Sequence, residues 1–144
     1  KVRLKFFGRI NDFGSTIINK INDAEKVTDL NQPSLFLNIA LGYGGRQDIV
    51  DVTKNISRKV LSKEINVDDI DENMINKFSS APVDQVDLLI RTGGDKRISN
   101  FLLYQIAYTE ISFCNKFWPD FSNKDFLDCL ENFKKVNRRF GRRI

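Results

Sequence analysis

Two apolar rhythms alternate along the chain. Val2-Arg3-Leu4-Lys5-Phe6-Phe7 switches between apolar and basic residues and stops at Gly8, the period-two pattern of a strand with one buried face. From about Ser15 to Thr28, Ile17, Ile18, Ile21, Ala24, Glu25 and Val27 recur at helical spacing, which predicts a surface helix on a sheet. Asn31-Gln32-Pro33-Ser34 breaks the chain. Leu35 to Leu41 then forms an apolar run of strand length, the form expected of a strand buried on both faces in a parallel sheet. Beyond Gly42-Tyr43-Gly44-Gly45, the stripe Ile49, Val50, Val52, Ile56, Val60 and Leu61 predicts a helix from about Arg46 to Glu64. Val67 to Ser79 reads as a short helix and Val86 to Ile90 as a third strand. A helix near Ser99 to Tyr108 and a fourth strand at Ile111 to Phe113 follow. Ser122-Asn123-Lys124-Asp125 is a loose capping box opening a last helix, with Phe126, Leu127, Leu130, Phe133, Val136 and Phe140 as its apolar face.

This alternation predicts an α/β fold, a mainly parallel sheet flanked by helices with its ligand sites beyond the carboxyl ends of the strands. At 144 residues, without repeats or a low-complexity linker, residues 1–144 read as one domain-sized unit. The chain opens on Lys1, directly at a strand, as a piece of a longer protein would. No apolar run approaches the ~20 residues of a membrane span, so no transmembrane segment is expected and the expected location is cytoplasmic.

Composition narrows the chemistry. The chain has no His, which removes imidazole metal sites, His-assisted nucleophiles and imidazole proton shuttles. Any acid, base or hard-metal ligand must then be a carboxylate. Cys114 and Cys129 are too few for a thiolate-only zinc site or a disulfide framework and read as small core residues. A net charge of +4 is a mild bias, and no nucleic-acid partner is expected from it. The basic run from Lys134 to Arg143 suits a helix C-terminus.

Two glycine turns stand at strand ends, Gly42 to Arg46 and Arg91-Thr92-Gly93-Gly94-Asp95-Lys96-Arg97-Ile98-Ser99, and the sheet rule lets both face one ligand. In the second, paired glycines open backbone N–H groups to an anion, the predicted helix offers its positive end, and Arg91, Lys96, Arg97 and Ser99 add donors. This set suits a phosphate or diphosphate. Neither turn has a Walker or dinucleotide-binding pattern. Glu110 lies in an apolar context where its ionised form needs a cation or a donor, unless it faces solvent. Phe101, Tyr104, Phe113, Phe117, Trp118 and Phe121 read as core aromatics.

Several segments carry a family resemblance. They are Asn38-Ile39-Ala40, Tyr43-Gly44-Gly45-Arg46-x-Asp48-Ile49-Val50, Asp87 to Gly94, Arg97 to Leu103, Gln105 to Tyr108, Trp118 to Phe121 and Arg138-Arg139-Phe140-Gly141. In this order and spacing they resemble the cis-prenyltransferases, in the form of the bacterial undecaprenyl diphosphate synthases, from Val2 to Gly141. The resemblance implies condensation of isopentenyl diphosphate with an allylic diphosphate such as farnesyl diphosphate, to give a cis-polyprenyl diphosphate lipid carrier. It implies Mg2+, a homodimer, and delivery of product at the inner membrane surface. By motif, Arg91, Arg97 and Ser99 hold the diphosphate of isopentenyl diphosphate and Glu110 supports the metal. Arg139-x-Gly141 completes the site across the dimer, and Leu35, Leu37 and Ile39 floor an apolar tunnel for the growing chain.

Two departures qualify what the resemblance implies. The family's N-terminal Met-Asp-Gly-Asn turn, with the catalytic Asp, has no counterpart here, so the fold is incomplete relative to the full cis-prenyltransferase and no catalytic residue is expected in this chain. Lys96 stands where the bacterial synthases commonly carry His. The expectation is the C-terminal part of a single cis-prenyltransferase domain, inactive alone. The alternative is a non-catalytic partner subunit of a two-subunit cis-prenyltransferase, against which Arg91, Arg97 and Ser99 weigh.

Overall fold

In the computed structural model, which describes residues 1–137, the contacts divide the chain into two compact units. One holds Lys1–Asp84 with Asn100–Leu102, and the other holds Gln85–Ser99 with the chain from Leu103 onward. Arg139, Phe140 and Gly141 lie outside the described residues.

The first unit is built on a parallel strand pair, β1 (Val2–Gly8) and β2 (Leu35–Leu41), in a register that runs from Val2 opposite Leu35 to Gly8 opposite Leu41. Helix α1 (Ser15–Val27) returns the chain between them and covers the free edge of β1. There the Leu4 N–H donates to Thr28 Oγ1 at 3.1 Å and the Phe6 N–H to Glu25 Oε1 at 2.7 Å. Side chains thus satisfy donors that would otherwise invite another strand. Leu35 and Phe36 are 56% and 60% exposed, so β2 is not buried on both faces as its apolar run suggests. Among the described residues it pairs only with β1, and nothing of this unit covers that end.

Helix α2 (Gly45–Leu61) buries Gly45, Asp48, Val52 and Ile56, spaced by three or four residues. Ile49, Val50 and Leu61 are exposed instead, which corrects the phase of the expected stripe. The buried line runs through a carboxylate because Asp48 finds three donors on the chain after α3 (Glu72–Phe78): Ser79 Oγ at 2.6 Å, Ser80 Oγ at 2.7 Å and the Ser80 N–H at 2.9 Å. A buried carboxylate needs such partners. The expected single helix over 67–79 is a 3-10 turn at Val67–Asp69 followed by α3, which Asp71 caps by accepting from the Met74 N–H.

The second unit pairs β3 (Leu88–Arg91) in parallel with β4 (Glu110–Phe113), Leu88 opposite Glu110 and Arg91 opposite Phe113. Both strand pairs are parallel, as the sequence pattern predicts. The helix expected near 99–108 is absent, and turns fill the connection. Ser99, Asn100 and Leu102 have φ of 53°, 64° and 48°, and left-handed residues cannot nucleate a right-handed helix. A 3-10 turn at Trp118–Asp120 leads to α4 (Asn123–Lys134). Phe117 and Trp118 are exposed, Trp118 at 75%, and no residue of α4 is buried, so these aromatics and the last helix's apolar face are not core within this unit.

The capping box of α4 forms as the sequence predicts: Ser122 Oγ accepts from the Asp125 N–H, and Asp125 accepts from the Ser122 N–H at 2.8 Å. Asp125 also binds Lys116 Nζ at 2.8 Å. The Lys116 ammonium, then the Ser122 hydroxyl and N–H, hold the Asp125 carboxyl well below the ordinary carboxylate range. A depressed pKa contributes stability that is present above the unfolded value, about 4, and is lost as pH falls through the folded one. We predict that Asp125→Asn lowers the thermal midpoint at pH 7, and that the gap from the parent closes as pH drops below about 4. Circular dichroism melts across pH 2–7 read this. A gap independent of pH would remove Asp125 as the titrating group.

Candidate diphosphate-binding site

Arg91 leaves the end of β3 with its side chain 23% exposed, and the following loop closes around it. Its Nη1 donates to the Arg97 carbonyl at 2.5 Å and to Ser99 Oγ at 2.6 Å, while Nη2 reaches Asp95 Oδ2 at 3.5 Å. Arg97 Nη2 meets the same Asp95 oxygen at 2.5 Å. Three of the sequence-predicted donors, Arg91, Arg97 and Ser99, therefore converge. Lys96 is exposed beside them. Because Ser99 Oγ accepts from Arg91, its own proton remains available to an anion. Arg91, Lys96 and Arg97 outweigh Asp95, so the loop keeps positive charge after its internal pairing.

Two parts of the expected cradle are different. Gly93 and Gly94 have φ of 94° and 81°, which permits the tight turn. Their N–H groups, however, donate to the Lys116 carbonyl at 2.8 Å and the Cys114 carbonyl at 3.0 Å. They extend the pairing past β4 and do not open to a ligand. The helix whose positive end was expected here is replaced by the left-handed residues described above. Whatever anion-binding capacity this loop has rests on side chains, not on backbone amides or a helix dipole. Left-handed non-glycine residues cost on the order of 1–3 kcal/mol each and persist where surroundings over-determine them.

The first glycine turn lies in the first unit and has another task. Tyr43 packs edge-on against Phe7, with ring centroids 5.1 Å apart, and against Phe101 at 6.0 Å. Burial first, then the neighbouring Asp48 charge, pushes the Tyr43 phenol up to about 12. Among the described residues no group stands in hydrogen-bond geometry to the buried hydroxyl, and Asp48 is the neighbour that disfavours its ionisation. A cleft of about 140 Å3 beside it is lined by Tyr43, Gly44, Asp48, Asp51, Asn55 and Ser80, among others.

Glu110 opens β4, half-buried, with its N–H donating to the Asp87 carbonyl at 3.1 Å. Magnesium takes one or two carboxylates together with phosphate oxygens and water. Among the described residues no group of three or more Asp, Glu, Cys or His side chains converges. Glu110 can supply one ligand, but these residues do not build a metal site by themselves. Leu35, Leu37 and Ile39 share one face of β2, the first two exposed and Ile39 half-buried, as an apolar strip.

Sequence reasoning missed Asp95 as the internal counter-ion, Asp48 as a buried carboxylate and Asn100 as a cap. Asp48 alone left a signal, a charged residue in register with Val52 and Ile56. No helix among the described residues is long and apolar enough to cross a membrane.

The sequence and fold also match known proteins. The prenyltransferase family model described as "Putative undecaprenyl diphosphate synthase" matches residues 1–141. The chain is 43% identical over 141 residues to the ditrans,polycis-undecaprenyl-diphosphate synthase ((2E,6E)-farnesyl-diphosphate specific) of Pasteurella multocida, covering 97% of this chain and 58% of that relative. It is 42% identical over 142 residues to the tritrans,polycis-undecaprenyl-diphosphate synthase (geranylgeranyl-diphosphate specific) of Pyrococcus horikoshii, covering 98% and 53%. The solved lavandulyl diphosphate synthase of Lavandula x intermedia, in complex with dimethylallyl diphosphate, matches with a TM-score of 0.92 at 33% identity, over 98% of this chain and 61% of that one. The chain thus spans little more than half the length of the curated relatives it matches. With a family match over nearly its whole length and the Arg91, Arg97 and Ser99 cluster in place, the chain belongs to the undecaprenyl diphosphate synthase family of prenyltransferases.

Proposed function

We propose that this chain is the C-terminal part of a single cis-prenyltransferase domain that condenses isopentenyl diphosphate with an allylic diphosphate, farnesyl diphosphate as the first candidate, to a cis-polyprenyl diphosphate. The convergence of Arg91, Arg97 and Ser99 carries the reading. Relatives named for farnesyl and for geranylgeranyl diphosphate match at nearly equal identity, and both names specify an allylic diphosphate.

In the reaction a bond forms to the allylic carbon, the bond from that carbon to its diphosphate breaks, and isopentenyl diphosphate gives up a proton. This chain's share is to hold the isopentenyl diphosphate. Arg91 and Arg97 neutralise its diphosphate and Ser99 donates its hydroxyl, with the bonds from Arg91 to the Arg97 carbonyl and Ser99 Oγ holding the loop before the ligand arrives. Asp95 must yield to the ligand, which exchanges one carboxylate for an anion with more charge and more acceptors. A magnesium ion, if bound, would supply Lewis-acid help to departure of the allylic diphosphate. Glu110 offers it one carboxylate, and Leu35, Leu37 and Ile39 offer apolar surface to a growing chain. Arg139 and Gly141 belong to the dimer element of the proposal. The intact arginine and serine cluster weighs against a non-catalytic partner subunit.

Arg97 is 67% exposed, so the loss expected on its removal is that of a charge-assisted hydrogen bond and not of a buried ion pair. Arg97→Ala should weaken isopentenyl diphosphate roughly ten- to hundredfold by calorimetry. Unchanged affinity would remove Arg97 from the site.

The 144 residues alone should form no polyprenyl product from labelled isopentenyl diphosphate, farnesyl diphosphate and Mg2+. Exchanged for the matching region of the Pasteurella multocida relative, they should restore synthesis. Product from the chain alone would place a catalytic residue within it.

A homodimer completes the proposal, supported by the exposed Phe117 and Trp118, residue types enriched at protein interfaces. Sedimentation equilibrium of the polypeptide that carries this chain should report twice the monomer mass. A monomer at every concentration would refute the dimer.

A further inference from the structure

Helix α2 begins after Gly44, which has no side chain to cap it. The cap comes from far along the chain. Asn100 Oδ1 accepts from the Arg46 N–H at 2.8 Å, and the Asn100 carbonyl accepts from the Gly45 N–H at 2.7 Å. Two of the helix's four orphan donors are therefore met by one residue from 54 positions away. The fit is tight, because a Cβ on Gly44 would lie 2.7 Å from Asn100 Nδ2. Asn100 itself has φ of 64°, a conformation that Asn tolerates better than other residues with a Cβ.

One peptide bond before this cap stands Ser99, also left-handed at φ 53°, whose Oγ is fixed by Arg91 at 2.6 Å. One residue after it, Phe101 packs edge-on against Tyr43. Asn100 and Phe101 are thus anchored on α2 and Tyr43. We propose that Asn100 is a positioning residue for diphosphate binding: by capping α2 it holds its own left-handed backbone, and with it the adjoining peptide that leads from Ser99. The proposal rests on the reading of Arg91, Arg97 and Ser99 as a diphosphate site. Asn is the residue type suited to this task, since it supplies a side-chain acceptor and a left-handed backbone without adding a negative charge beside an anion.

The test uses the polypeptide that carries this chain, with inorganic diphosphate as the probe and calorimetry as the readout. Asn100→Gly keeps the left-handed backbone and removes only the side-chain cap. Gly44 has an extended backbone, φ −152° and ψ 126°, so Gly44→Ala adds only a methyl against the Asn100 amide. Each variant should weaken diphosphate about tenfold, and the double variant should bind no more weakly than Asn100→Gly, because the methyl then meets no amide. All are compared where thermal melts show the folded state. A purely structural role would lower the melting midpoint and leave affinity within about twofold of the parent, which overturns the proposal. Full additivity of the two substitutions overturns it as well. If the parent binds no diphosphate, or Arg97→Ala leaves its affinity unchanged, the site reading itself has failed, an outcome separate from failure of Asn100 in a protein whose Arg97 dependence is intact.

Discussion

A guanidinium that is three-quarters buried at the end of a strand cannot be left unsatisfied, and the loop after β3 is arranged around that requirement. Arg91 takes the Arg97 carbonyl, the Ser99 hydroxyl and the Asp95 carboxylate, and Asp95 in turn collects Arg97. The same contacts that satisfy the cation gather the second arginine and the hydroxyl around it. On the proposed diphosphate reading, stability and ligand preorganisation share one set of bonds. Without a ligand the carboxylate keeps the two guanidinium groups from repelling each other. A ligand must replace Asp95 to engage them fully, which favours an anion of higher charge with several oxygens, such as a diphosphate, over a single carboxylate.

Short-range pattern was a good guide wherever short-range physics decides the structure. The α1 helix and the capping box at Ser122 and Asp125 depend on neighbours within a few residues, and both form where expected, although of the α1 stripe only Ile21 is buried and Ile17 and Val27 are exposed. Where distant partners decide, the pattern misleads. Residues 99–108 have the composition of a helix, yet the cap that Asn100 places on α2 and the bond from Arg91 to Ser99 go with left-handed backbone at the point where a helix would start. Likewise Asp48 is buried on α2 because Ser79 and Ser80 supply its donors, which no periodicity along the helix reveals.

The candidate site was legible in residue type but not in mechanism. A concentration of Arg, Lys and Ser after a strand pointed to an anion, and Arg91, Arg97 and Ser99 do converge. The paired glycines suggested a backbone cradle, whereas their N–H groups continue the strand pairing toward Cys114 and Lys116. The sequence does not single out Asp95, because its two guanidinium contacts form only once the loop is closed. The exposed start of β2 and the exposed Phe126 and Leu127 of α4 accord with a chain that spans little more than half the length of the relatives it matches.

The central claim, that the Arg91 and Arg97 guanidinium groups exchange Asp95 for a diphosphate, is read most directly by nuclear magnetic resonance. Titration with inorganic diphosphate should shift the side-chain Nε–Hε signals of Arg91 and Arg97 along one saturation curve, together with the Ser99 amide and the Asp95 carboxylate carbon as that group is released. Saturable diphosphate binding that leaves the Asp95 carboxylate and both arginine signals unmoved would contradict it.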